Sequence, residues 1–184
     1  AMKVAEGMGL DQRIGRSFLN AGIGYGGSCF PKDIDAFISI SQKEGYDFSL
    51  LKAVKSINEE QKRLLVKKIE KTLWILKDKT IGILGLSFKP GTDDMRNAPS
   101  QDIIHMLQQE KANIRVFDPQ STIKAKEVIH NVVFCKDVYE LAKGCDCLVL
   151  VTEWDEFKKI DFKRMKKIMK QAVIFDGRNM YDKD

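Results

Sequence analysis

The residues best suited to chemistry are Cys29, Lys32 and Asp33, which follow four glycines spread over Gly22 to Gly27. If a helix starts at or near Cys29, a thiol, an ammonium and a carboxylate at i, i+3 and i+4 share one side of it. Pro31 suits the first helical turn because its φ is already preset, and Asp33 suits the positive end of the helix dipole. A cysteine at such an end, beside a cation, is expected to ionise more readily than a free thiol. The chemistry available is nucleophilic attack by sulfur. Asp33 could orient or deprotonate a water, and backbone N–H groups of the loop could hold an oxyanion. For a lone cysteine, a buried structural thiol is the plainer reading. The glycine run, Pro31, Lys32 and Asp33 together argue against it here.

The glycines supply a loop that can take positive φ and approach a ligand closely. Ile34, Phe37, Ile38 and Ile40 have helical spacing, which predicts a helix over Phe30 to Lys43 that closes at Gly45. A second, long helix is predicted from about Phe48 to Leu76, with Leu50, Leu51, Val54, Ile57, Leu64, Leu65, Ile69 and Leu73 at spacings of three and four. At about 1.5 Å per residue it would exceed roughly 40 Å, too long for one small core to cover. Such a helix connects domains or forms a subunit interface. Earlier in the chain, residues 1 to 10 start inside a helical pattern, which reads as a fragment of a longer protein. A short helical stretch is predicted over Arg13 to Leu19.

From Lys79 the period changes. Strands are predicted at Lys79 to Gly85, Asn113 to Phe117, Val132 to Cys135, Cys147 to Val151 and Ala172 to Phe175, alternating with helical segments. That alternation implies an α/β fold: a helical segment with a long connecting helix (residues 1–76), then a parallel sheet flanked by helices (residues 77–184). Ligands of such sheets bind outside the carboxyl ends of the strands. Three polar sets fall there: Gly85 to Arg96, Asp118-Pro119 and Asp176-Gly177-Arg178. Gly82 and Gly85 do not make a dinucleotide fingerprint, because no helix opens directly after them. The loop of about a dozen residues that follows is long for a compact domain, and such loops are usually functional. It carries Lys89 and Arg96.

Composition sets bounds on partners. The net charge of +5 comes from lysines and acids interspersed along helices, which suits solvated faces better than a nucleic-acid surface. No apolar run approaches the length of a membrane span, and residues 1 to 10 lack a signal-peptide pattern. Cys29, Cys135, Cys145 and Cys147 lack paired zinc spacing, so no metal site is expected. Cys145-Asp146-Cys147 reads as packing, and reduced thiols imply a cytoplasmic setting. His105 and His130 read as structural, which leaves a cysteine hydrolase without a base near the motif.

The stretch Gly22-Ile-Gly-Tyr-Gly-Gly-Ser-Cys-Phe-Pro-Lys-Asp33 closely resembles the catalytic-cysteine motif of the UDP-glucose/GDP-mannose dehydrogenase family. Asp11-Gln-Arg-Ile-Gly15, Phe18-Leu19-Asn20 and Thr152-Glu-Trp-Asp-Glu-Phe157 are similar to family motifs too, the last pointing towards the UDP-glucose members. The resemblance implies a Rossmann-like fold for the second part and oxidation of a nucleotide sugar at C6 with two NAD. It makes Cys29 and Asp33 catalytic. It assigns Phe18, Leu19, Asn20, Gly22, Gly24, Tyr25, Gly26, Phe88, Lys89 and Arg178 to the nucleotide sugar, and Cys29, Lys32 and Arg96 to NAD. Arg13 would reach the substrate of the other subunit of a homodimer. The NAD-binding glycine turn and the family's catalytic lysine and asparagine would lie outside this chain. A non-catalytic nucleotide-sugar-binding module, or a relative acting on GDP-mannose or a UDP-N-acetylhexosamine, stays open.

Overall fold

In the computed structural model, which describes residues 2–182, the chain begins with three helices. These are α1 (Met2–Gly9), α2 (Phe30–Lys43) and α3 (Ser49–Leu73). Then come β1 (Thr80–Leu84), α4 (Pro99–Gln109), β2 (Asn113–Phe117), α5 (Thr122–Val128), β3 (Val133–Phe134) and α6 (Val138–Ala142). The chain ends with β4 (Cys147–Leu150), a short 3-10 helix at Asp155–Lys159, α7 (Phe162–Ile168) and β5 (Ile174–Asp176). The strands form one sheet in the order β3-β2-β1-β4-β5, and every pairing is parallel. The predicted α/β alternation with a parallel sheet is therefore what the chain adopts.

Parallel strands covered on both faces must be apolar throughout, and the central pair is: Ile81, Ile83, Leu84, Cys147, Leu148, Val149 and Leu150 are fully buried. One face packs against α3, α4 and α5 through Leu65, Ile69, Ile103, Ile104, Leu107 and Ala125. The other packs against α6, α7 and the turn after β4 through Leu141, Ala142, Met165, Trp154 and Phe157. The strand order runs outward from β1 in both directions, so the topological switch point lies between β1 and β4. A crevice outside their carboxyl ends follows from that order.

Three details differ from the sequence reading. Residues 13–19 form turns rather than a helix. The Asp11 carboxylate takes the Arg13 backbone N–H at 2.9 Å, and Gly15 and Phe18 adopt φ of 68° and 62°, which a right-handed helix cannot accommodate. Helix α3 ends at Leu73, because Trp74 turns left-handed (φ 66°); its 25 residues span about 37 Å. Its buried stripe is Asn58, Lys62, Leu65, Val66, Ile69 and Leu73. The second half of the helix thus lies in the core of the sheet, while Leu50, Ile57 and Leu64 stay exposed on another side. Each well-buried aliphatic side chain of that stripe contributes about 1.5–3 kcal/mol.

Candidate active site

Cys29 is the N-cap of α2, and its carbonyl accepts the first helical hydrogen bond, from Asp33 N–H at 2.9 Å. Pro31 sits in the first turn, as its fixed φ favours. Cys29 is exposed, whereas Cys135, Cys145 and Cys147 are buried. Burial pushes the Cys145 thiol up to about 11 and the Cys147 thiol up to about 12. Ser28 Oγ lies 3.7 Å from the Cys29 sulfur, and Lys32 Nζ lies 3.6 Å from Asp33 Oδ1. Arg96, from the β1–α4 loop, is gripped by Asp94, whose hydrogen bonds raise its pKa, and it lies within electrostatic reach of Cys29. Thiol, carboxylate and two cations therefore gather at one helix end.

The glycine loop is fastened from three sides. Asn58, buried on α3, accepts the Tyr25 N–H at 2.8 Å and donates to the Tyr25 carbonyl at 3.1 Å. One side-chain amide thus pairs with the loop as a neighbouring strand would. Gly24 makes room for it with φ 104°, a conformation that L side chains rarely adopt. From the β1–α4 loop, Asn97 Nδ2 donates to the Gly27 carbonyl at 3.1 Å, and a Cβ on Gly26 would collide with the Asn97 carbonyl oxygen. Phe88 packs its ring against Gly27, and Lys89 Nζ lies 5.3 Å from the centre of that ring. From the segment after β5, Asn179 Nδ2 donates to the Ala21 carbonyl at 2.9 Å and Arg178 Nη1 to the Gly24 carbonyl at 3.4 Å. Ile23 is buried in the core of the sheet. Tyr25 stands edge-on to Phe30, ring centroids 5.9 Å apart, and desolvation raises its pKa.

Of the expected site residues, the structure brings Gly22, Gly24, Tyr25, Gly26, Phe88, Lys89 and Arg178 together around this loop. Asn20 joins them in a cleft with Glu153, Arg178 and Asn179. Leu19 is half-buried just before it. Cys29, Lys32, Asp33 and Arg96 form the helix-end group. Phe18 is almost wholly exposed, and Arg13 points its guanidinium back to Asp11, with Nη2 to Oδ2 at 2.6 Å.

Sequence reasoning missed Asn58, Asn97, Glu153 and Asn179. Asn58 carried one legible signal, because it is a polar residue on the same helical stripe as Leu65, Val66, Ile69 and Leu73. Lys62 on that stripe is buried as well; it pairs with Asp102 and, at 2.7 Å, with Glu59. Burial opposes its charge, but the two carboxylates prevail and raise its pKa. Together with Tyr25 and Asn58 it lines a cavity of ≈ 280 Å³ between α2, α3 and α4.

At the carboxyl end of β2, Asp118 is buried and fully engaged. It accepts N–H bonds from Leu86 (2.7 Å), Ser87 (3.2 Å), Gln120 (2.9 Å), Ser121 (2.7 Å) and the Trp154 indole (3.1 Å). Burial opposes its charge and these donors prevail, so its carboxyl stays below the usual range. An acid at this place in a dinucleotide fold would hydrogen-bond a ribose. Here it braces loops instead. Gly85 presses against Thr152, and the helix opens only at Pro99, so this sheet offers no pyrophosphate turn. Among the described residues, any contact with a dinucleotide would therefore fall to the helix-end group of Cys29, Lys32 and Arg96 rather than to the sheet.

A parallel sheet with a cysteine-bearing glycine loop laid across its carboxyl edge defines a Rossmann-like α/β protein. Comparison with known proteins agrees. The central domain of the UDP-glucose/GDP-mannose dehydrogenase family matches residues 1–60, and the UDP binding domain of that family matches residues 82–183. The chain belongs to this family. It is 45% identical over 180 residues to UDP-glucose 6-dehydrogenase TuaD of Bacillus subtilis (strain 168), covering 97% of this chain and 39% of that protein. It is 47% identical over 182 residues to UDP-glucose 6-dehydrogenase YwqF of the same organism, covering 98% and 41%. Among solved structures, a UDP-glucose dehydrogenase from the hyperthermophilic archaeon Pyrobaculum islandicum superposes with a TM-score of 0.89 at 35% identity, covering 97% of this chain and 40% of that one. The chain thus spans about two fifths of the length of these relatives.

Proposed function

We propose that this chain is the cysteine-bearing and sugar-binding part of an NAD-dependent UDP-glucose 6-dehydrogenase. The observation that carries the reading is the docking of the glycine loop on the sheet: one segment ends at Cys29 and is held by residues of the β1–α4 loop and of the segment after β5. The nucleotide sugar lies along that loop, met by Asn20, the glycines, Tyr25, Phe88, Lys89 and Arg178, with Phe18 and Leu19 at its entrance. The names of the similar dehydrogenases favour UDP-glucose over GDP-mannose or a UDP-N-acetylhexosamine. Residues 1–76 serve catalysis and dimerisation, and residues 77–184 bind the UDP moiety.

Bound at Cys29, Lys32 and Arg96, NAD supplies the hydride acceptor for both oxidations. The covalent steps on sulfur fall to side chains of this chain. The Cys29 sulfur adds to the C6 aldehyde, forming a C–S bond while the carbonyl electron pair moves to oxygen, held by backbone N–H groups. Oxidation of that thiohemiacetal leaves a thioester on Cys29. Asp33 takes a proton from the attacking water, the C–S bond breaks, and the acid leaves as sulfur recovers its electron pair. The exposed apolar residues Phe37 and Ile40 on α2 and Leu50, Ile57 and Leu64 on α3 suit contact with a second copy, from which Arg13 reaches the neighbouring site. No helix among the described residues is long and apolar enough to cross a membrane. Three buried thiols and one exposed thiol, all unpaired, suit the reducing cytoplasm.

The test is made on a form of the protein spanning the full length of its relatives. It is expected to reduce two NAD per UDP-glucose. Cys29→Ser is expected to lose steady-state turnover, because the oxygen nucleophile is poorly activated and its ester is stable. Unchanged turnover in that variant would remove Cys29 from the mechanism.

A further inference from the structure

Arg178 does not stand free in the crevice. Its backbone N–H is held by Asp176 Oδ1 at 2.8 Å. Its Nε donates to Glu153 Oε2 at 2.6 Å and its Nη2 to Oε1 at 2.8 Å, so both carboxylate oxygens are used in a parallel pair. Both side chains are largely shielded, at 18% and 33% exposure. Only Nη1 remains, and it faces the glycine loop. It reaches the Gly24 carbonyl at 3.4 Å, and a Cβ on Gly22 would stand 3.0 Å from it.

Glu153 itself has little freedom. Its neighbours on both sides are buried anchors: Thr152 Oγ1 donates to the Ser87 carbonyl at 2.6 Å, and the Trp154 indole donates to Asp118. The backbone of the triplet is thereby fixed, and the middle side chain projects towards Arg178. A loop with four glycines has more backbone freedom to lose than any other kind, so its external contacts decide whether it keeps one conformation.

We propose that Glu153 is a positioning residue of the site: by occupying the Nε–Nη2 edge it sets the plane of the Arg178 guanidinium, which clamps the glycine loop on the sheet. The fork geometry needs a guanidinium, because an ammonium can satisfy the carboxylate or the loop carbonyl but presents no fixed plane. The rival arrangement is a latch, in which Glu153 stands where a ligand diphosphate would bind and must be displaced. The two differ in sign: a positioning carboxylate helps ligand binding and a latch opposes it.

The experiment uses this chain. Amide hydrogen exchange across residues 20–27 is measured in the wild type, Glu153→Gln, Glu153→Asp and Arg178→Lys, with UDP-glucose titrated calorimetrically in parallel. In Glu153→Gln and Arg178→Lys the loop amides are expected to exchange on the order of tenfold faster, with β1 and β4 unchanged. Glu153→Asp, which keeps the charge with a shorter reach, should fall between. UDP-glucose binding should weaken in the same order. Unchanged loop exchange in Glu153→Gln, exchange raised equally throughout the sheet, or tighter UDP-glucose binding would overturn the proposal. The binding arm rests on the sugar-site reading above, whereas the exchange arm needs no ligand. A wild type that ignores UDP-glucose would sink that reading and leave the clamp to be judged on exchange alone.

Discussion

Three arginines of this chain stand two residues after an aspartate: Arg13 after Asp11, Arg96 after Asp94 and Arg178 after Asp176. In each case the carboxylate accepts the backbone N–H of the arginine, at 2.9, 2.9 and 2.8 Å. In the first two it also grips the guanidinium. The repeated turn pre-orders a long side chain that would otherwise lose much rotamer entropy on meeting an anion. Asp94 reports the grip directly, because the Arg96 hydrogen bonds hold its carboxyl down at about 2, from an ordinary 3.8. The group binds fewer protons folded than unfolded in that window. Its contribution to stability is full above pH 3.8 and disappears as pH falls through about 2. An NMR titration of the Asp94 carboxyl is expected to show its midpoint near 2, with Arg96→Ala moving it back towards 3.8; a wild-type midpoint already near 3.8 would mean that the pair does not persist in solution. The thiols allow a simpler check. Iodoacetamide should modify one cysteine, Cys29, in the native chain and all four after denaturation, read by mass. Rapid native modification of Cys145 or Cys147 would contradict their burial.

At the scale of elements, hydrophobic period and punctuation carried most of the fold. Helix α2 and strand β2 have the predicted bounds, the remaining strands differ by a residue or two at their ends, and α3 stops three residues short of its predicted end. What period could not show is where two local preferences compete. Over residues 13–19, apolar spacing favours a helix, but Asp11 offers the backbone a side-chain acceptor and Gly15 turns the chain. The site was legible where chemistry and spacing coincide, in Gly22 to Asp33. Its anchors were not. Asn58 lies 33 residues from Tyr25 and Asn97 lies 70 from Gly27, and local pattern is silent at such separations. Asp118 was legible by its place at the end of β2, yet its partners make it a brace between the loops after β1, β2 and β4. Asp118→Asn removes the buried charge that several backbone donors require and turns an NH2 group towards some of them. It is expected to cost about 2–4 kcal/mol in urea denaturation, whereas exposed Asp155→Asn should be near neutral. A loss below about 0.5 kcal/mol at Asp118 would show that the loops hold without it.

Across the whole molecule, the two parts of the chain share one core, and this governs what the chain can do alone. The second half of α3 and Ile23 of the glycine loop are buried with the sheet, so the loop is presented by the domain that the UDP moiety is proposed to occupy. The residues proposed to meet the nucleotide sugar therefore sit on one folded unit, although much of the sugar pocket is expected to lie outside this chain. The cofactor side is not provided by the sheet, because Asp118 is committed to the protein and the sheet has no pyrophosphate turn after β1. On the proposed function, this chain carries part of a nucleotide-sugar site and only the far end of an NAD site. Calorimetric titration of the purified chain with UDP-glucose, UDP and NAD separates the two. UDP-glucose and UDP are expected to bind with Kd of roughly millimolar order and NAD to give no detectable heat. Binding of NAD without either uridine nucleotide would mean that the second part of the chain is not a nucleotide-sugar domain.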